Sequence, residues 1–188
     1  WHAVEMAVHP IVASMFTVFE LQNAFAAVLS AASVGFLFIT CRVLHCGIGA
    51  SALFSAMFAF SYTVWTYATQ IETFPLNNFL SSVLLLLAVL YHRAPRRSSA
   101  KRSLELSGAL LVGLSLANQH TSIFFALPIV VSVCFTMDFW RSLRNVCGCV
   151  VALLSGIGVY GFLSVAHPES PFSYAAPLTT LTDVVRHV

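Results

Sequence analysis

Apolar runs of bilayer length alternate with short polar gaps along most of this chain. They predict helices at about 21–40, 48–69, 76–92, 104–117, 123–137 and 146–165. A helix crossing a hydrocarbon core needs about 20 consecutive apolar residues, and the gaps between these runs are too short to fold separately. The stretch from 104 to 137 has to be divided. As one helix it would be about 50 Å long at 1.5 Å per residue, against a core about 30 Å thick. Its polar centre, Asn118-Gln119-His120-Thr121-Ser122, is where a tight turn belongs. The pattern therefore predicts an all-α, polytopic transmembrane helix bundle of about six spans. Residues 1–20 read as an interfacial segment broken at Pro10, and 166–188 as a polar, proline-rich tail.

Composition agrees with this picture. Of 188 residues, 59% are hydrophobic and 9% charged, with mean hydropathy +0.87. Soluble domains carry roughly 25% charged residues. The net charge of +2 is small, and no basic stripe interleaved with aromatics is present, so a nucleic-acid partner is excluded.

The distribution of charge says more than its sum. Eight of the nine Lys and Arg fall in three gaps: Arg42; Arg93, Arg96, Arg97, Lys101 and Arg102; Arg141 and Arg144. Gaps without Lys or Arg alternate with these. Six spans put all three basic gaps on one face, which the positive-inside rule assigns to the cytoplasm. The segment RAPRRSSAKR reads as a topology determinant. The five cysteines, Cys41, Cys46, Cys134, Cys147 and Cys149, lie in or beside apolar runs at the basic side and read as packing thiols rather than zinc ligands. Gly47 and Gly49 are expected to make the turn after the first span.

Candidate chemistry collects on the opposite face. Between the second and third runs lies Thr63–Asn78, with Trp65, Glu72, Pro75 and Asn77. Proline biases the residue before it away from helix, so the backbone is expected to break at Phe74 and restart at Asn77 and Asn78. Irregular backbone at membrane depth needs protein or a water-filled cavity to satisfy it, which makes this stretch a candidate cavity wall. Glu72 reads as a solvated loop carboxylate or as an acceptor in a pocket at the membrane surface. Asn118, Gln119 and His120 read as a helix-ending turn or as polar groups facing that pocket, with amides able to donate and accept at once. No phosphate loop, HExxH or nucleophile elbow is present, and no cofactor or metal is implied.

Two motifs carry a resemblance. Residues 65–79 read W-x-x-A-x-x-x-E-x-F-x-L-N-N-x, and Gly113–Thr121 reads GLSLANQHT. Together they resemble the transmembrane protein 260 family of polytopic protein O-mannosyltransferases. The matching positions are Trp65, Glu72, Phe74, Leu76, Asn77, Gly113, Asn118, Gln119, His120 and Thr121.

The resemblance implies part of a C-class glycosyltransferase membrane domain in the endoplasmic reticulum, with the basic loops cytoplasmic. Its partners would be the lipid bilayer, a lipid-linked sugar donor and a protein acceptor. Mannose would pass from a dolichyl-phosphate donor to Ser or Thr of IPT-type domains, with a luminal carboxylate as general base. Trp65, Glu72, Asn77, Asn118, Gln119 and His120 would bind substrate.

One departure matters. Ala7-Val8-His9-Pro10 matches the start of a family stretch, but Ile11-Val12-Ala13 replaces its P-G-Y. The family's acidic motif would fall just before Trp1, so the chain is expected to be an N-terminally truncated fragment with no catalytic residue of its own. A transporter or channel subunit with Glu72 and the NQHT turn in its pathway, or a structural membrane protein, are the alternatives from other classes.

Overall fold

The computed structural model describes residues 18–70, 73–95, 98–136, 140 and 142–159. Among these it is all-helical, with no strand. The main helices are α1 (Val18–Val43), α2 (Ile48–Ala59), α3 (Tyr62–Tyr67), α4 (Phe74–Arg93), α5 (Ser99–Asn118), α6 (Ile123–Cys134) and α7 (Leu143–Ile157), with a 3-10 turn at His120–Ser122 between α5 and α6. The expected tight turn after 117 is therefore present. Segment 160–188 and nearly all of 1–20 lie outside the described residues, as do the interfacial break at Pro10 and the end of the last span.

Four boundaries differ from expectation, each for a local reason. The run 48–69 is not one helix, because the chain breaks at Phe60 and Ser61. Ser61 Oγ donates to the Phe58 carbonyl at 2.9 Å, the kind of local bond by which serine competes with the helical ladder. Helix α4 begins at Phe74, ahead of the asparagines, with Pro75 in its first turn. There the missing N–H of proline costs nothing. Helix α5 begins at Ser99 and takes in the last residues of the basic gap, since Ser98 Oγ accepts from the Lys101 N–H at 3.1 Å and caps the helix. The turn after α1 is made by His45, at φ 64°, and the glycines keep negative φ. Gly47 instead caps α2.

Residue pairs between helices fix the directions. Asn118 of α5 meets Thr73 at the start of α4, and Lys101 meets Tyr91 near its end, so α4 and α5 are antiparallel. Tyr91 bonds Thr136 and His92 bonds Ser132, so α4 and α6 run the same way. Phe36 packs edge-on to Phe79 at 5.7 Å and His45 meets Arg93, which makes α1 parallel to α4. Glu105 meets Asn145 and Gly113 abuts Leu153 and Gly156, so α5 and α7 are parallel. Arg42, Arg93, Lys101 and Arg144 thereby gather at one end of the bundle, here called the basic end. The turn after α5 and the start of α4 form the other.

Polarity is inverted relative to a water-soluble protein. Serines 30, 33, 51, 55, 82, 115 and 122 are buried, while Leu53, Phe54, Met57, Phe124 and Phe135 are exposed. Several buried hydroxyls bond within their own helix, as Ser33 does to the Leu29 carbonyl at 2.8 Å. Small residues at contacts and large apolar ones outside are what lipid selects. Helix α2 follows this rule, turning Ser51 and Ser55 inward. The closest approach is between α5 and α7. A Cβ on Gly113 would lie 2.2 Å from the Leu153 carbonyl, and one on Gly156 would lie 2.6 Å from that of Leu110. The apolar core is small, centred on Leu84, Val112 and Ala126. Segments 19–43 and 74–93 are long and apolar enough to cross a membrane.

Candidate functional site

One of the polar side chains singled out in the sequence, Asn118, bonds the carbonyl that opens α4. Thr73, just before α4, has an oxygen that accepts the Asn77 N–H at 3.0 Å and Asn118 Nδ2 at 3.2 Å. Two stretches 45 residues apart are thus joined at the end of the bundle away from the arginines. Gln119 follows in extended backbone at φ −154°, ψ 122°. It donates its N–H to the Ser115 carbonyl at 2.9 Å, and its own carbonyl accepts from Ser122 N–H at 3.0 Å. His120 is exposed on the 3-10 turn that results.

Among the described residues, Asn77 Oδ1, Ser115 Oγ, Gln119 Oε1 and Ser122 Oγ are buried without a hydrogen-bond partner, as are Ser55 Oγ of α2 and Asn145 Oδ1 of α7. Asn118 is thus bonded to the turn of chain that leads into Asn77, and Gln119 and His120 follow it in sequence. Trp65 stands on the short helix α3, 63% exposed, with its ring 5.5 Å from that of Phe60. That helix leads toward α4 through the stacked rings of Tyr67 and Phe74, 4.7 Å apart. Glu72 lies outside the described residues.

A second polar group was missed in the sequence. Glu105 of α5, buried at the basic end, accepts on Oε2 from Asn145 Nδ2 of α7. Beside it, the Lys101 ammonium sits 4.4 Å from the centre of the buried Tyr91 ring. Tyr91 and Thr136 hydroxyls lie 2.6 Å apart. Glu105 and Tyr91 also help to wall an apolar cleft of about 360 Å³ between α4, α5, α6 and α7. The signal available was a single carboxylate inside an apolar run, where an ionisable group is expensive. Among the described residues, no group of three or more His, Cys, Asp or Glu is placed to hold a metal ion.

Helices with serines inside, phenylalanines outside and two segments of membrane-crossing length fit a membrane protein. Comparison with known proteins gives the kind. The model of the protein O-mannosyl-transferase TMEM260 N-terminal domain matches residues 6–143, and the chain belongs to that family. Protein O-mannosyl-transferase TMEM260 of Mus musculus is 30% identical over 117 residues, which cover 61% of this chain and 16% of that protein. The chain therefore spans about a sixth of that relative. No solved structure matches. Trp65, Glu72, Asn77, Asn118, Gln119 and His120 all fall within the matched domain.

Proposed function

We propose that this chain is part of the membrane domain of a C-class glycosyltransferase that moves mannose from a dolichyl-phosphate donor to Ser or Thr of a protein acceptor of the IPT type. The observation that carries the reading is the bond from Asn118 Nδ2 to the Thr73 carbonyl, which joins the GLSLANQHT stretch to the start of α4 at the end away from the basic residues. In this reading six spans place that end in the lumen of the endoplasmic reticulum and the basic loops in the cytoplasm. Asn77, Asn118, Gln119, His120, Trp65 and Glu72 then contribute to substrate binding.

The reaction needs a base to take the acceptor hydroxyl proton as its oxygen attacks the sugar carbon and the lipid phosphate departs. A carboxylate suits that role. By the family resemblance, that role is assigned to the family's luminal acidic motif rather than to Glu72. Glu72 holds polar groups of the substrate.

The test is mannosyl transfer by the full-length protein at matched protein levels. Asn118→Ala and His120→Ala are expected to lower transfer without lowering the amount of folded protein. Glu72→Gln is expected to lose roughly ten- to hundredfold, the scale of one charged hydrogen bond. Substituting the acid of that motif is expected to abolish measurable transfer, consistent with losing a general base. Full activity of both Glu72→Gln and Glu72→Ala would leave Glu72 a plain loop carboxylate. The topology is tested by single cysteines at Ser98 and Ser170 in a background without the native five. They should label from opposite sides of the membrane, and labelling from one side refutes the span count.

A further inference from the structure

We propose that the cleft between α4, α5, α6 and α7 seats a membrane phospholipid whose headgroup carries a protonated amine. This goes beyond the transfer reading and does not depend on it. The cleft, about 360 Å³, is apolar over most of its wall, with residues such as Leu84, Val112 and Leu153 contributed by three helices. An acyl chain is the apolar body that a helical membrane protein meets everywhere.

What makes the site selective is its basic end. Glu105 forms part of the wall there although it is only 8% exposed, and Asn145 holds one of its oxygens. A carboxylate is costly in an apolar wall unless something donates to it. One helical turn earlier on α5, Lys101 stands over Tyr91, which lines the same cleft. Arg102, exposed, is its neighbour. Glu105 thus stands in the cleft wall, and the positive Lys101, outside that wall, lies one helical turn beyond it over the wall residue Tyr91.

A zwitterionic amine headgroup matches that order of charge. Its ammonium N–H groups donate to Glu105, and its phosphate faces the cationic turn of Lys101 and Arg102. A choline headgroup offers no N–H to the carboxylate, and an anionic glycerol headgroup places no positive charge on it. The basic end is also the end at which the helices reach headgroup depth, by the clustering of Arg42, Arg93 and Arg144 with Lys101.

The experiment uses the full-length protein, purified from nanodiscs of ethanolamine-, choline- or glycerol-headgroup phospholipids with identical acyl chains. Retained lipid is counted by native mass spectrometry. The wild type is expected to keep the ethanolamine lipid over the other two by roughly ten- to hundredfold, the scale of one charge-assisted hydrogen bond. Glu105→Gln, which keeps the shape, is expected to erase that preference.

Gly108 provides a second variant that leaves Glu105 in place. It lines the cleft, and a Cβ built there meets nothing within 4 Å. Gly108→Leu is therefore expected to fill the space and lower retention of all three lipids. Equal retention of the three headgroups by the wild type overturns the proposal, as does an unchanged preference in Glu105→Gln. Absence of retained lipid from the folded wild type also overturns it, and means that another part of the longer protein fills the cleft.

Discussion

The two ends of the bundle differ in how their polar groups are satisfied. At the basic end side chain meets side chain across helices: Tyr91 with Thr136, His92 with Ser132, Arg93 with His45, and Asn145 with Glu105. At the other end the link between α4 and α5 is a single amide on a backbone oxygen, Asn118 to Thr73. Among the described residues, Asn77 Oδ1, Ser115 Oγ, Gln119 Oε1 and Ser122 Oγ are buried there without a partner. A buried unsatisfied group costs about 1–3 kcal/mol, whereas a made hydrogen bond adds about 1. The basic end is thus the more cross-linked of the two, although Asn145 Oδ1 is unpartnered among the described residues there too. The opposite end keeps acceptors in reserve, as a region does when its partners are supplied by substrate or by water.

The hardest way to break this contrast is to pry α5 from α7. Gly113→Val places a Cβ 2.2 Å from the Leu153 carbonyl, where only the backbone itself can move aside. Loss of folded protein is expected, beyond the roughly 1–3 kcal/mol of ordinary overpacking. Gly35→Ala, whose Cβ would meet nothing within 4 Å, is the silent control. Thermal unfolding in detergent, followed by size-exclusion chromatography, reads both. Equal stability of the two variants would mean that the close approach does not exist.

Smaller changes sharpen the contrast. Asn145→Ala removes a partner from a buried carboxylate and is expected to destabilise by about 1.5–3 kcal/mol. A double-mutant cycle with Glu105→Gln is expected to show positive coupling, since the two residues share one bond. Smallest of all should be Ser115→Ala at the other end. It is 2% exposed, yet its hydroxyl has no hydrogen-bond partner, so its removal should be neutral or stabilise slightly. Chemical unfolding curves of the two single variants decide the matter. A Ser115→Ala loss as large as that of Asn145→Ala would show that the two ends are not built differently.

How much of this could be read from the chain depends on range. Helix content and the turn near 119 follow from hydropathy and length, because a 34-residue stretch with a polar centre is too long to cross once. The grouping of Arg42, Arg93, Lys101 and Arg144 at one end follows from their alternation between runs. Boundaries were set by short-range chemistry that hydropathy does not record: the Ser98 cap, the Ser61 bond and proline in the first turn of α4. The sequence motifs named Asn77, Asn118 and Gln119 but not the carbonyl that Asn118 bonds, since Thr73 contributes only backbone there. Glu105 escaped because its meaning lies in Asn145, 40 residues away.

That separation has a consequence for biosynthesis. Helix α5 is complete well before α7 exists, yet Gly113 is shaped for the backbone of α7 and Glu105 bonds Asn145 of α7. At roughly 5–20 residues per second, a lag of about 40 residues lasts roughly 2–8 s. During that interval a carboxylate and a bare strip of backbone enter the bilayer without their mates. Each α5 made thus waits several seconds with the Gly113 strip and Glu105 unmatched, so the order of synthesis leaves this helix to be completed by the later one of the pair.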